Sequence, residues 1–413
     1  RGRVNEVAPP IEKLQEDLQL PLALDWYWWH RNPYDTEYPR YLPPREGEDK
    51  FSATIERLAE KNILTQVYIN GTLWDMDDIS WEEGGSESVV IKRDGTPVNH
   101  IFNTYINHRL AFMCGTVQTF KNKITQIADE LYNLGLRSLY LDVIGNHSNN
   151  ACYHKDHDHD AGGGTYQIAG YRDLLKKLKE KHPDMLLSSE SCPEMYMDVL
   201  DSGILLDASN ERMGCFDYEP IPLFTAVYHE FFTLFGNYSC MDGIPPYDEL
   251  WPQDGKWDKE SKWHELCPDQ FVFEFCRGLV WGLQPTVVNL RMNHVTGNDF
   301  QREYQFLLEA IKFYYQHRDF LLEGQMLNPG KLETETVEVK ILSRMVFTKE
   351  GKHKISNRKS PAILHSVWQA PNGRKALVLV NFTREKADFS FNSEGYSLNG
   401  ELPPLSLRLI ELS

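Results

Sequence analysis

The sequence predicts an α/β protein, a (β/α)8 TIM-type barrel over residues 1–330 followed by a small antiparallel β-sandwich over 331–413. Three observations carry that expectation. Short apolar runs alternate with helix-period segments through the first three quarters of the chain, which is the pattern of β/α units. Repetition over roughly 320 residues fits a barrel, for which ~250 residues is typical and insertions are common. After Asn328-Pro-Gly330 the texture changes to short strand-like runs separated by turn residues. A doubly wound open sheet is the alternative, but no glycine-rich phosphate turn follows the first strand.

The elements follow in order. Leu22-Ala-Leu-Asp-Trp26 reads as a strand, Phe51–Lys61 as a helix and Ile63–Ile69 as a second strand. A polar, tryptophan-bearing excursion then runs from Asn70 to Arg109, too long for a plain connection. Over Gln118–Leu134, the residues Phe120, Ile124, Ile127, Leu131 and Leu134 recur at three and four, and Gly135 supplies the stop. Ser138–Asp142 is the next strand, Tyr166–Lys181 the next helix, and Met185–Glu190 the strand after it. Further strands are expected at Ile204–Asp207, Leu223–Tyr228 and Thr286–Leu290, with a last helix from Phe300 to His317. Beyond residue 330, Val337–Ile341, Ala362–Gln369, Lys375–Asn381, Ala387–Phe391 and Leu405–Leu412 alternate with turns such as Pro371-Asn-Gly and Asn399-Gly.

Composition narrows the function. The chain has 413 residues, 43 Lys+Arg against 60 Asp+Glu, and a net charge of −17. An acidic chain without basic runs repels phosphate backbones, so nucleic acid is excluded as an expected partner. The apolar run Phe271–Leu283 is broken by Glu274 and Arg277 and is short of a membrane span, so a soluble protein is expected. Seven scattered cysteines without a CxxC pair suggest neither a disulfide framework nor a zinc knuckle. The sequons at Asn70 and Asn146 fall at strand ends and read as chance.

The carboxylates are the most informative feature. Asp142 and Glu190 each end an apolar strand, 48 residues apart, as expected of neighbouring strands joined by a loop and a helix. In a β/α barrel the C-terminal strand ends form the active face. Two acids across a cleft are the equipment of glycoside hydrolysis, one attacking the anomeric carbon and the other protonating the leaving oxygen. The other strand ends are dense in aromatic and polar groups: Asp25, Trp28, Tyr68, Asn70, Trp74, Tyr228, Arg291 and His294. Such surfaces suit both the apolar face and the hydroxyl rim of a sugar. Any single tryptophan among them is better explained as core, whereas Asp25 is better read as a ligand to hydroxyls. The loop from Cys152 to Gly164 alternates His154, His157 and His159 with aspartates and invites a metal reading. Its ligands lack helical or CxxC spacing, so His154 and His159 are read as substrate contacts, with no metal and no organic cofactor expected. The chain shows no GxSxG elbow and no HExxH, and Gly162–Gly164 lacks the Lys-Ser/Thr of a phosphate loop.

Four segments carry a resemblance: Asp25-Trp-Tyr-Trp-Trp29 with Tyr38–Pro44, Tyr68–Asp75, Tyr140–Gly145, and Cys152 through Gly162–Gly164 to Arg172. In these the chain resembles a family of glycosidase-like barrels known mainly as a domain of unknown function. More remotely it is similar to retaining α-glycosidases such as the α-N-acetylgalactosaminidase and α-amylase-clan barrels. That resemblance implies Asp142 as nucleophile, Glu190 as general acid/base, and a β-rich domain ahead of the barrel. Asn293-His294 is similar to the Asn-His of the α-amylase pattern, but Val295 stands where an Asp is expected, leaving Glu194 and Asp207 as fallback acids. The expected function is therefore a retaining glycoside hydrolase acting on an α-linked oligosaccharide or glycoconjugate. A carbohydrate-binding pseudoenzyme and a metal-dependent hydrolase built on His154, His157 and His159 are the rivals. The acidic charge and aromatic cleft fit a secreted or periplasmic setting and, nearly as well, a cytoplasmic one.

Overall fold

The computed structural model describes residues 2–33, 35–103, 106–146, 150–191, 194–208, 219–236, 240–242, 263–343, 354–393 and 395–412. The chain divides into two compact units, residues 1–203 with 247–256 and residues 204–246 with 257–413.

The first unit opens with a helix that the sequence reading missed, α1 (Val4–Leu18). Pro9 and Pro10 lie inside it, and each removes a backbone donor. Yet Val4, Ala8, Ile11, Leu14 and Leu18 line one buried face, and that burial outweighs the lost bonds. The frame of the unit follows: β1 (Leu22–Trp26), α2 (Glu48–Glu60) and β2 (Ile63–Asn70). The excursion after β2 folds into a small antiparallel sheet of β3 (Leu73–Asp75), β4 (Asn99–His100) and β5 (Leu110–Phe112), in the order β3-β5-β4. A one-turn helix, α3 (Gly85–Ser88), lies within it. Then come α4 (Gln118–Asn133), β6 (Ser138–Asp142), α5 (Tyr166–Lys181) and β7 (Leu186–Glu190), each within two residues of its expected bounds. α4 buries Phe120, Ile124, Ile127 and Leu131, and Gly135 follows it at φ +96°, a conformation that only glycine adopts freely.

β1, β2, β6 and β7 pair in that order and all in parallel, half of a barrel wall. β8 (Ser202–Ile204) lies where the chain passes from the first unit to the second.

In the second unit, Leu223–Tyr228 is a helix and not the expected strand. A six-residue apolar run carries too little periodicity to decide. Here Pro222 starts the turn, and the Phe224 and Tyr228 rings pack one turn apart at 4.9 Å. Thr286–Leu290 is likewise no strand; parallel bridges instead join Phe235 to Gln284 and Cys240 to Val288. Ile204–Asp207 splits into the end of β8 and a single 3-10 turn, Leu206–Ala208. A fully buried helix spans Gln270–Val280, and another spans Gln301–Gln316.

Among the described residues, ten strands follow β8. β9 (Thr233–Phe235) precedes an antiparallel region made of β10 (Gln325–Leu327), β11 (Lys331–Thr334), β12 (Thr336–Ser343), β13 (Lys354–Pro361), β14 (Ile363–Gln369), β15 (Lys375–Asn381), β16 (Ala387–Ser393), β17 (Tyr396–Leu402) and β18 (Ser406–Leu412). Its sheets run β10-β14-β15-β18, β11-β16-β17 and β12-β13. Ile363, Val367, Leu377 and Leu379 of the first share one core with Phe389, Phe391 and Leu402 of the second. Among the described residues no helix is long and apolar enough to cross a membrane.

Candidate active site

Side chains alternate along a strand, so Gln66, Tyr68 and Asn70 of β2 share one face with Ser138, Tyr140 and Asp142 of β6 and with Ser188 and Glu190 of β7. The parallel register sets Asn70 beside Asp142, and one step past Leu141↔Ser189 it carries Asp142 to the level of Glu190. The two acids therefore end adjacent strands at the same height.

Below them the face is filled. Tyr68 and Tyr140 stack with centroids 6.0 Å apart. Deeper still, Ser138 and Ser188 donate to Gln66 Oε1 at 3.0 and 2.7 Å, and Gln66 in turn hydrogen-bonds Asp25.

Asp142 is half-buried and held from β2. Tyr68 Oη donates to its Oδ2 at 3.1 Å, and Asn70 Nδ2 approaches the same oxygen at 3.4 Å. Asn70 is itself locked, because its Oδ1 accepts from the backbone N–H groups of Thr72 and Leu73. Tyr41 Oη accepts from the Asn70 N–H at 2.7 Å, and burial pushes the Tyr41 phenol well above its ordinary range. Behind Tyr68 stands Tyr38, hydroxyl to hydroxyl at 3.2 Å, and Tyr38 also reaches Asp35 Oδ1 at 3.2 Å. Two phenol protons thus serve two carboxylates, Asp35 at one end and Asp142 at the other. Such hydrogen bonds favour an ionised carboxylate.

Glu190 is buried, with Asn146 Nδ2 at 3.4 Å from its Oε2. The turn beneath the pair is stitched by Ser189, whose hydroxyl donates to the Leu141 carbonyl at 2.6 Å and accepts from the Gly145 N–H at 2.9 Å. The residue after each acid is left-handed, Val143 at φ 69° and Ser191 at φ 65°. That conformation is costly for a β-branched valine, and such strain concentrates at functional sites.

The structure redistributes the other sequence candidates. Asp25 pairs with Gln66 and so lies four residues, about 13 Å, below the acids instead of at their level. Barrel strands are staggered, so the last residue of one need not stand beside the last of the next. Asp25 is exposed there, and the Gln66 side chain hydrogen-bonds it. Trp28 and Trp74 are buried; Trp74 donates to Ser80 Oγ at 3.1 Å and serves as core of the excursion, not as an open platform. Tyr68 and Asn70 are buried as well and act on Asp142. The buried Asn70 is no glycan acceptor, and His147 and Ser148 of the second sequon lie outside the described residues.

Tyr228, Arg291 and His294 belong to the second unit. There Arg291 Nη1 and His294 Nε2 approach Asp242 Oδ2 at 2.8 and 3.0 Å, a partner that motif reading did not single out. Of the fallback acids, Glu194 is exposed in a 3-10 turn, and the Asp207 side chain lies outside the described residues.

His154 and His159 fall in a different constellation. His159 joins His157, Cys152 and Cys114, the last contributed from just after β5. His154 stacks on His157 with centroids 4.0 Å apart. Local motif reading could not find Cys114, because it stands 38 residues from the next ligand.

The first unit thus presents two acids at the ends of adjacent parallel strands. Residues 1–239 match the family described as Domain of unknown function (DUF6259), and the chain belongs to that family. A curated protein of Bacteroides thetaiotaomicron named "Putative glycoside hydrolase" is 26% identical over 332 residues, covering 79% of this chain and 44% of its own length. A Monosiga brevicollis protein named "Putative glycoside hydrolase 22789" is 26% identical over 272 residues, covering 60% of this chain and 22% of its own. The chain thus spans less than half the length of either. Among solved structures, an α-N-acetylgalactosaminidase from Bifidobacterium bifidum superposes with a TM-score of 0.55 at 16% identity, over 90% of this chain and 51% of that one. The Nostoc punctiforme debranching enzyme superposes with a TM-score of 0.53 at 10% identity, over 96% of this chain and 86% of that one.

Proposed function

We propose that the protein is a retaining glycoside hydrolase acting on α-linked sugars from a (β/α)8 barrel. The observation that carries the reading is the pair Asp142 and Glu190, level on adjacent parallel strands, with Asp142 clasped by Tyr68 and Asn70. The glycoside hydrolase names of the curated relatives support the class. The name of the B. bifidum fold neighbour, an α-N-acetylgalactosaminidase, supports the linkage.

In this mechanism the Asp142 carboxylate attacks the anomeric carbon as the glycosidic C–O bond breaks, and the Glu190 carboxyl gives its proton to the departing oxygen. Glu190, now ionised, takes a proton from water. That water displaces Asp142 from the glycosyl ester, leaving the anomeric configuration unchanged. Retention calls for carboxyl groups ~5–5.5 Å apart, inversion for ~6.5–9.5 Å.

A panel of nitrophenyl α- and β-glycosides tests the reading, with N-acetylgalactosaminide, galactoside and glucoside included and the product anomer followed by proton NMR. Cleavage of an α-glycoside with the α-anomer released first supports it. A first-formed β-anomer would replace retention with inversion, and cleavage that persists in both Asp142→Asn and Glu190→Gln would remove the pair from the chemistry.

A further inference from the structure

We propose that Cys114, Cys152, His157 and His159 bind a structural zinc ion. Their ligand atoms all lie within 4.8 Å of one another. Cys114 Sγ stands 3.4 Å from His159 Nε2, and Cys152 Sγ stands 3.4 Å from His157 Nδ1. In tetrahedral zinc, with Zn–S about 2.3 Å and Zn–N about 2.0–2.1 Å, the sulfur-to-nitrogen edge is about 3.5 Å. Both contacts match that edge.

The imidazoles are already turned for the task. His157 Nε2 is 2.9 Å from the Glu87 carbonyl, and His159 Nδ1 is 2.9 Å from the Asp160 carbonyl. A carbonyl only accepts, so each of these nitrogens carries the proton. The lone pairs of His157 Nδ1 and His159 Nε2 then face the thiols. Carbonyl partners of this kind fix tautomer and ring orientation in metal sites. Flat stacking holds the ring planes, His157 against His154 and His159 against Tyr166 at 3.8 Å.

Around them the loop is closed by paired hydrogen bonds between Cys152 and Gly162, and Tyr166 Oη donates to the Gly162 carbonyl. Both sulfurs are buried, packed with Val90, Phe112 and Val117.

The donor set selects the ion. Two thiols and two imidazoles are soft and borderline ligands that suit zinc, whereas calcium and magnesium take oxygen. Binding releases the two thiol protons to solvent. Four protein ligands complete the tetrahedron and leave no position for a reactive water, so the site is structural and not catalytic. Its effect is to clamp the loop after β6 onto the excursion after β2, since Cys114 belongs to the latter and the other three ligands to the former.

The test is metal content and ligand identity in the full chain. Protein purified without a metal-chelating tag and dialysed against metal-free buffer is expected to carry one zinc ion by plasma mass spectrometry. Cobalt(II) exchanged into the site is expected to show the visible bands of tetrahedral coordination and thiolate-to-cobalt charge transfer in the near ultraviolet. Cys114→Ser and His157→Ala should lose the ion, and His154→Ala, whose ring only stacks, should keep it. Should the ligand variants fail to fold, the native chain still decides, because the two thiols must resist alkylation until a chelator is added. No metal after reconstitution with zinc, a Cys114–Cys152 disulfide, a cobalt spectrum without charge transfer, or zinc retained by a folded Cys114→Ser chain would each overturn the proposal.

Discussion

The strand ends of β6 and β7 and the Cys–His cluster of the following loop are both polar and both held by hydrogen bonds, yet they are wired in opposite senses. At the strand ends the bonds run inward from the fold to the acid: Tyr68 and Asn70 converge on Asp142 Oδ2 while the carboxylate stays half-exposed. In the cluster the bonds run outward. Each histidine spends its second nitrogen on a carbonyl so that the first meets a buried sulfur. The first arrangement aims a group at something that arrives and leaves; the second closes on itself. On the proposed reading the acids do chemistry and the cluster is architecture, and that reading can be broken from either side.

The largest effect belongs to the acids. Asp142→Asn and Glu190→Gln are each expected to lower kcat/KM by about three orders of magnitude or more, about 4 kcal/mol of transition-state stabilisation. Zinc content and melting temperature should change little. A variant that instead melted early with proportionate loss of activity would place the acids in the architecture.

The reverse pattern is expected for the cluster. Removing zinc with a chelator, or replacing Cys114 by Ser, should cost several kcal/mol of stability, because metal binding and folding are coupled at such sites. Differential scanning calorimetry would show the melting temperature fall and recover on adding zinc. Activity measured well below the new melting point should survive; its immediate and complete loss would give the metal a part in the reaction.

Tyr68 sharpens the boundary between the two. Tyr68→Phe keeps the ring that stacks on Tyr140 and removes the hydroxyl that donates to Asp142 and meets Tyr38. A hydrogen bond to a charged group contributes about 1.5–3 kcal/mol to stability, so the fold should be weakened by that order. A tenfold to hundredfold fall in kcat at nearly constant KM is expected if the hydroxyl positions the nucleophile. A rise in KM with kcat preserved would mean that it touches the sugar.

Much of this was legible in the chain because it is local. An acid that ends its own apolar strand declares itself within five residues, and β6 and β7 fall where Ser138–Asp142 and Met185–Glu190 place them. What escaped depends on register or on distance. Asp25 ends a strand as plainly as Asp142 does, but the stagger between β1 and β2 sinks it to the level of Gln66. Tyr38 and Tyr41 reach Tyr68 and Asn70 across about 30 residues, and Cys114 reaches His159 across 45, separations that only the folded chain closes. Val143 in a left-handed turn carries no local signal at all, since neither glycine nor asparagine marks it. α1 was not read at all: it carries Pro9 and Pro10, and five buried side chains hold it.

His30 gives an effect confined to acid pH, and one that reads the aromatic packing around the acids. Its ring is fully buried, 5.3 Å from that of Tyr41, and burial, helped by the charge of Arg45, lowers its pKa to about 3. The unfolded chain takes up this proton near pH 6.5, its ordinary value, and the folded chain does not until about pH 3. Stability is therefore full above pH 6.5 and declines as the pH falls toward 3, by up to about 1.4 kcal/mol per unit. In His30→Phe that slope disappears while other acid-sensitive groups continue to titrate, so the difference between the two chains isolates it. Urea midpoints should run parallel above about pH 7 and converge or cross below it, with the native chain losing more. Parallel curves throughout would mean that the folded protein protonates His30 as readily as water-exposed histidine, and that the packing behind Tyr41 and Tyr68 is open to solvent.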